Sequence, residues 1–262
     1  MKKFGLFLIA SVFSVFCLTS CLEGNNVSEG YALGVLQYSS ESHTYVLNST
    51  LGLVSAPNLN ALDLNECYYF YYKLDLDLPE NATAVVQANG YHTISLVGHQ
   101  KIDKYDLSPS LTDTSRVMNG EVPVHDAYES GNPYIDEYYF ISQIVNMPSD
   151  LQLTWNMSYD SDMEPVVENG ERYYDVFIRA TKKNSSEKSD EKLQHLNAYY
   201  VRDFLKNAAS KERNALGSSY SEHSSKLRIR FNFVSEISEE GKLTWKSKTA
   251  EDSILVVHFL TN

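Results

Sequence analysis

Cysteine, proline and long apolar runs are all scarce in this chain. Three cysteines occur in 262 residues, too few for a scaffold held by several disulfides. Seven prolines and twelve glycines fall far short of a collagen-like or low-complexity composition. No apolar run reaches the roughly 20 residues that a helix needs to cross a bilayer. Cations are the minority charge: 22 Lys and Arg stand against 34 Asp and Glu, a formal net charge of -12. Nucleic-acid binding draws its energy from clustered Lys and Arg releasing counterions, so a nucleic-acid partner is not expected. Short catalytic motifs are also missing, with no GxSxG, HExxH, Walker loop, GxGxxG or CxxC in the sequence. That absence weakens an enzymatic reading but leaves room for a pair of glycosidase carboxylates, which carry no short signature.

What is present is the composition of a globular protein, 43% apolar and 12% aromatic, with enough length for one large domain or two modest ones. At the N-terminus, Lys2 and Lys3 precede an apolar run from Phe4 to Leu18, the layout of an export signal over residues 1–20. The run ends in Leu18-Thr19-Ser20-Cys21, which resembles the bacterial lipoprotein box. Cys21 is then the lipidated first residue of the mature chain. Several acyl chains hold a protein to a membrane firmly where one does not, at about 0.8 kcal/mol per buried methylene. Residues 21–30 are polar enough to serve as a tether. The expected location is the envelope of a Gram-negative bacterium, at the outer membrane, with the bilayer engaged through the lipid. Removal of residues 1–20 leaves 20 basic against 34 acidic residues, a charge of -14. Cys67 alone remains as a thiol, and it lies in the strand-like run Glu66 to Tyr72, where cysteine is usually a small buried hydrophobe.

From Tyr31 onward the apolar period is mostly two. Tyr31–Tyr38, Thr44–Val54, Glu66–Leu78 and Tyr91–Lys101 read as strands separated by Ser, Asn, Pro and Gly. Leu74, Leu76 and Leu78 alternate with charged residues before Pro79, which places them on one face. No helix is expected before residue 105, so the spacing favours a small antiparallel barrel or sandwich over residues 31–108. Residues 109–133, with their prolines and Ser, Thr and Asp runs, read as a linker. Residues 134–262 read as a second β domain, with strands at Tyr134–Asn146, Leu151–Tyr159, Glu171–Thr181, Lys226–Ser235, Lys242–Lys246 and Ser253–Leu260. One helix is expected over Glu191–Ala215, because Leu193, Leu196, Tyr200, Phe204 and Ala208 recur at steps of three or four. The alternative is that part of the aromatic stretch Asn197–Phe204 is strand, with a shorter helix after it.

The lipoprotein box, the opening Gly34-Val35-Leu36, the run Glu66–Tyr72, the strand Tyr91–Lys101 leading into Tyr105-Asp106-Leu107, and Tyr200-Val201-Arg202-Asp203-Phe204-Leu205 before a final hairpin together define a layout. It resembles the NigD-like lipoproteins of the Bacteroidetes envelope. The resemblance implies an OB-like barrel followed by a β-sandwich, a non-enzymatic role, and an association with bacteriocin-type gene clusters that points to immunity. The long segment Glu187–Gly217 departs from an ordinary sandwich loop.

Two constellations are candidate sites. Tyrosine is abundant, at 19 residues, and Tyr69, Tyr71, Tyr138 and Tyr139 form a possible ligand platform, since a phenol offers an apolar face and a polar tip. The alternative is a half-buried sheet face. In the run Tyr68–Tyr72, period two puts Tyr69 and Tyr71 on one side and Tyr68, Phe70 and Tyr72 on the other. Asp160, Asp162 and Glu164 start a weak calcium-loop pattern continued by Glu168 and Glu171. Pro165 occupies the position where such a loop needs glycine, so no resident metal or cofactor is expected. Asn169-Gly170 reads as a hairpin turn. The sequence thus favours an anchored binding module with an unknown protein or glycan partner. The competing class is a carbohydrate-active or peptide-active extracytoplasmic enzyme.

Overall fold

The computed structural model describes residues 26–146, 152–162, 164–183, 191–221, 225–251 and 254–255. The signal, Cys21 and most of the tether lie outside them. In chain order the strands are β1 (Val27–Ser39), β2 (Thr44–Ser49), β3 (Gly52–Ser55) and β4 (Cys67–Asp75), then helix α1 (Thr83–Asn89), β5 (His92–Thr93) and β6 (Ser95–Ser108). They continue with β7 (Glu121–Val122), β8 (Val124–Ile135), β9 (Tyr138–Asn146), β10 (Leu153–Ser158), β11 (Val166–Glu168), β12 (Glu171–Lys182) and β13 (Lys192–Tyr200). Helix α2 (Arg202–Leu216), β14 (Lys226–Ile237), β15 (Leu243–Thr249) and β16 (Ile254–Leu255) follow. The chain is mostly β, as its period-two pattern implied, with the OB-like N-terminal body that the family resemblance implied.

In that body β4, β1 and β2 pair antiparallel, β3 pairs with β2, and β5 pairs with β3 in parallel. The ring is closed through the chain rather than by a ladder. β5 runs through Ile94, whose N–H donates to the Ser55 carbonyl at 2.8 Å, into β6, and β6 pairs antiparallel with β4. Leu36, Leu47, Val54, Leu59, Tyr68, Phe70, Tyr72 and Ile94 fill the interior.

β6 then leaves the first body and builds the second. Its first part pairs with β4 as far as Ile102, Asp103–Asp106 pair in parallel with β13, and Leu107–Ser108 pair in parallel with β10. One sheet of the second body is β8-β9-β13 and the other is centred on β10-β12-β14-β15. Tyr139, Ile141, Trp155, Val176, Ile178, Tyr199, Leu205 and Phe231 are part of the core between them. A third cluster joins the bodies: Leu33, Val35, Cys67 and Ile102 from the first pack against Ile135, Phe140 and Ala198 from the second.

Five expectations change. Helix α2 starts at Arg202, not Glu191, because Lys192–Tyr200 is hydrogen-bonded to β9 along its length and to β6 at its end. Its last residues are buried on both faces, Ala198 toward the joining cluster and Tyr199 toward the main core. Such a strand shows no alternation and mimics a helical stripe. Helix α1 was not expected. It forms after Pro79 stops the chain, and Gly90, at φ 77°, closes it with its N–H on the Val86 carbonyl. β4 ends at Asp75, so Leu76 and Leu78 are exposed rather than facing a core with Leu74. Tyr134–Asn146 is two strands, turned at Asp136 and Glu137, both with positive φ. Within 109–133, read from sequence as a linker, β7 and most of β8 are sheet members.

Candidate binding surface

Two faces of the β1-β4-β6 ladder have different fates. Even-numbered Ala32, Tyr68, Phe70 and Tyr72 enter the first core. On the opposite face the register places Val35 beside Cys67 and Ile102, then Leu33 beside Tyr69 and Gln100, then Tyr31 beside Tyr71 and Gly98, then Glu29 beside Lys73. The second body covers the first of these rows. Cys67 there is fully buried, and burial first of all pushes its thiol up to about 12, which suits packing and not nucleophilic attack.

Past that cover the face opens. Tyr31 is 60% exposed and stacks on Tyr69, with ring centroids 5.1 Å apart and planes 2° from parallel. It meets Tyr71 at 4.8 Å with the rings tilted by 53°. Burial is the main cause raising both the Tyr69 and Tyr71 phenols above the ordinary tyrosine value, and for Tyr71 the hydrogen-bonded Glu29 carboxylate adds to it. Nothing lies within 4 Å of the position a Cβ would take on Gly98, so the face beside Tyr71 is a notch. Asp75 ends β4 here, and Asp77 and Glu80 follow it. Asn26 donates to Asp77 at 2.7 Å, which ties the start of β1 to that acidic turn.

The four tyrosines expected as a platform therefore part company. Tyr69 and Tyr71 are together on the open face, and Tyr31 joins them. Tyr138 is half-buried at the seam between the bodies, edge-on to Tyr200 at 5.7 Å and under the Lys104 ammonium at 5.6 Å. Tyr139 is fully buried and donates to Glu129 at 2.6 Å, so it belongs to the core and not to a platform. Period two separates the faces of Tyr68–Tyr72, but the identity of the neighbour, Tyr31, depends on strand register.

At the weak calcium pattern, the Asp160 carboxylate accepts the Asp162 N–H at 2.9 Å, a local turn. Glu168 accepts from Arg230, and Asn169-Gly170 makes the turn between β11 and β12 with φ of 53° and 82°. Asp160, Asp162 and Glu164 are not brought together with other ligating side chains, and no group of three His, Cys, Asp or Glu able to hold a metal occurs among the described residues.

Polar side chains unmarked by any motif pin the second body. Arg179 and Glu121, with side chains 1% and 0% exposed, pair at 2.6 Å. Arg179 also donates to the carbonyls of Asp113 and Arg116, and Trp245 donates to that of Thr114. Glu212 on α2 accepts twice from Arg172, at 2.7 Å each, and from the Tyr174 hydroxyl. Asp175 holds Arg230 and Asn232. Asp136, whose carboxyl burial raises above the usual range, accepts from Gln37 and so joins the β8–β9 turn to β1.

The sequence matches the model of one family, described as Lipoprotein OB domain, over residues 24–100. No curated protein matches it. The fold is that of a crystal structure of an uncharacterized protein from Parabacteroides merdae: 18% identity, TM-score 0.71, covering 87% of this chain and 99% of that one. Looser likenesses include a protein of unknown function from Bacteroides vulgatus, at 14% identity and TM-score 0.48 over 86% of this chain and 92% of that one. Another is a NigD-like immunity protein from Bacteroides caccae, at 11% identity and TM-score 0.46 over 86% and 95%. No helix among the described residues is long and apolar enough to cross a membrane. Over residues 24–100 the chain is similar to the lipoprotein OB domain family, a likeness that supports the NigD-like resemblance drawn from its sequence.

Proposed function

We propose that this protein is an outer-membrane lipoprotein, anchored through Cys21, whose β body acts as a non-enzymatic binding module, with bacteriocin immunity as its specific form. The observation that carries the reading is the Lipoprotein OB domain match over residues 24–100, which begins three residues after the cysteine of Leu18-Thr19-Ser20-Cys21. Two features support it further. The tyrosine face beside Glu29 is open and offers apolar rings with polar tips. The mature charge of -14 favours encounter with a cationic partner.

The experiment is metabolic labelling with a palmitate analogue, followed by a pull-down with the soluble chain beginning at Leu22 against envelope extracts and glycans. Label retained by the wild type and lost in Cys21→Ser, with a specific partner captured, is the expected result. An unacylated Cys21 overturns the anchor. Hydrolysis of a glycan or peptide by the purified chain overturns the non-enzymatic reading in favour of an extracytoplasmic hydrolase.

A further inference from the structure

The open face lies along an open edge. β2 pairs with β1 only from Gly34 to Ser39, whereas β4 pairs with it from Val27 to Val35. Among the described residues, no strand pairs with the outer side of Val27–Ala32. The direction of the backbone groups follows from three bonds. Leu36 donates to the Glu66 carbonyl and Leu76 donates to the Asn26 carbonyl, both on the β4 side, while Thr50 donates to the Leu33 carbonyl on the other side. Successive residues of an antiparallel strand point their N–H and C=O groups to opposite edges. Val27, Glu29 and Tyr31 therefore present theirs outward, with no ladder to receive them.

The same residues carry the open face. A strand added at this edge would set alternate side chains beside Glu29 and Tyr31, against the phenol rings and the notch at Gly98. The charges there are Glu29, with Asp75 at the end of β4 and Asp77 and Glu80 beyond it, against Lys73 alone. Tyrosine faces attract cations, and carboxylates outnumber the amine. We infer that the β1 edge from Val27 to Tyr31 takes up an extended cationic polypeptide segment as an added strand, with lysine or arginine side chains lying over Tyr31 and Tyr71. This deepens the binding-module reading and rests on it. Main-chain bonds would supply the affinity and the alternating side chains the selectivity.

The test uses the chain beginning at Leu22 and three probes: an eight-residue peptide of alternating lysine and valine, its glutamate-for-lysine counterpart, and a neutral glucan hexasaccharide. Hydrogen exchange of the Glu29 and Tyr31 amides is followed by NMR. The lysine peptide should slow both amides at least tenfold at saturation, and the glutamate peptide should not. Glu29→Gln should weaken lysine-peptide binding by about two- to fivefold, the size of an exposed ion pair. Glu29→Pro should abolish the protection at Tyr31 while leaving the melting temperature within a few degrees, since an outward N–H takes no part in the ladder. Unfolding of Glu29→Pro would overturn the edge assignment, as would lysine-peptide binding that leaves both amides unprotected. Equal protection by the glutamate peptide would overturn the cationic partner. Hexasaccharide binding that shifts the Tyr31 and Tyr71 ring signals without protecting the amides would replace the peptide with a glycan, and the binding-module reading would stand. That reading fails separately, if the purified chain turns over a peptide or the hexasaccharide.

Discussion

Arg179 and Glu121 are out of water together, and removing either partner leaves a buried charge behind. Such a loss costs about 3–5 kcal/mol. Arg179→Ala and Glu121→Ala should each lower the stability of the protein by that amount in urea titrations. The arginine variant should fare worse, because the carbonyls of Asp113 and Arg116 lose their donor as well. Gly34 makes a different demand. A Cβ there would meet the Asn48 carbonyl oxygen at 3.0 Å, Ser49 Cβ at 3.1 Å and Phe70 Cε1 at 3.2 Å. Two of these belong to the β-ladder and the third to a packed ring, so none can swing away. Gly34→Ala should cost about 1–3 kcal/mol, measurable as a reduced urea midpoint with an unchanged slope. The sequence offered Gly34 only as part of a family-like opening; close approach of β1 to β2 and Phe70 is the physical reason for it.

Helix α2 is held to the second sheet by one carboxylate as well as by Phe204, Leu205, Ala208 and Ala209. Burial works against ionising Glu212, yet the hydrogen bonds from Arg172 and Tyr174 outweigh it and hold its carboxyl below the ordinary value of 4.5. A depressed carboxyl contributes stability above its unfolded value and loses it as pH falls through the folded one. The stabilisation from Glu212 should therefore be full and independent of pH between neutral pH and about 4.5, and the wild type should lose it below that. Glu212→Gln should be about 2 kcal/mol less stable at pH 7, with a shallower decline in acid, as followed by urea midpoints across pH 2.5–7. The helix itself was legible from its stripe, and so was its end, expected at Ala215 and found at Leu216. Its start was not, since the strand before it is buried on both faces near its end and repeats apolar residues at helical spacing by coincidence.

At the scale of the whole molecule, β6 is a member of both bodies, and Phe140 is fully buried where they meet, against Leu33, Val35, Cys67 and Ile102. A shared strand and a shared core couple the two. Thermal unfolding monitored by aromatic absorbance and by far-ultraviolet dichroism should give one coincident transition. Phe140→Ala, at about 3–5 kcal/mol, should lower it as a whole rather than split it. Two transitions in the wild type would mean that the seam contributes little to cooperativity. The segment between the bodies is latched to the second of them through Arg179 and Trp245, so it is not a free hinge.

The residues by themselves settled the strand-rich class and the acidic charge, whereas the OB-like start came from the family resemblance. They also separated Tyr69 and Tyr71 from Tyr68, Phe70 and Tyr72, because period two and composition are local properties of the chain. Tertiary structure decided that Tyr139 is core, that Tyr31 completes the aromatic row, and that one long strand serves both bodies. These depend on register and on which sheet covers which face, and a one-residue slip in pairing would exchange every one of them.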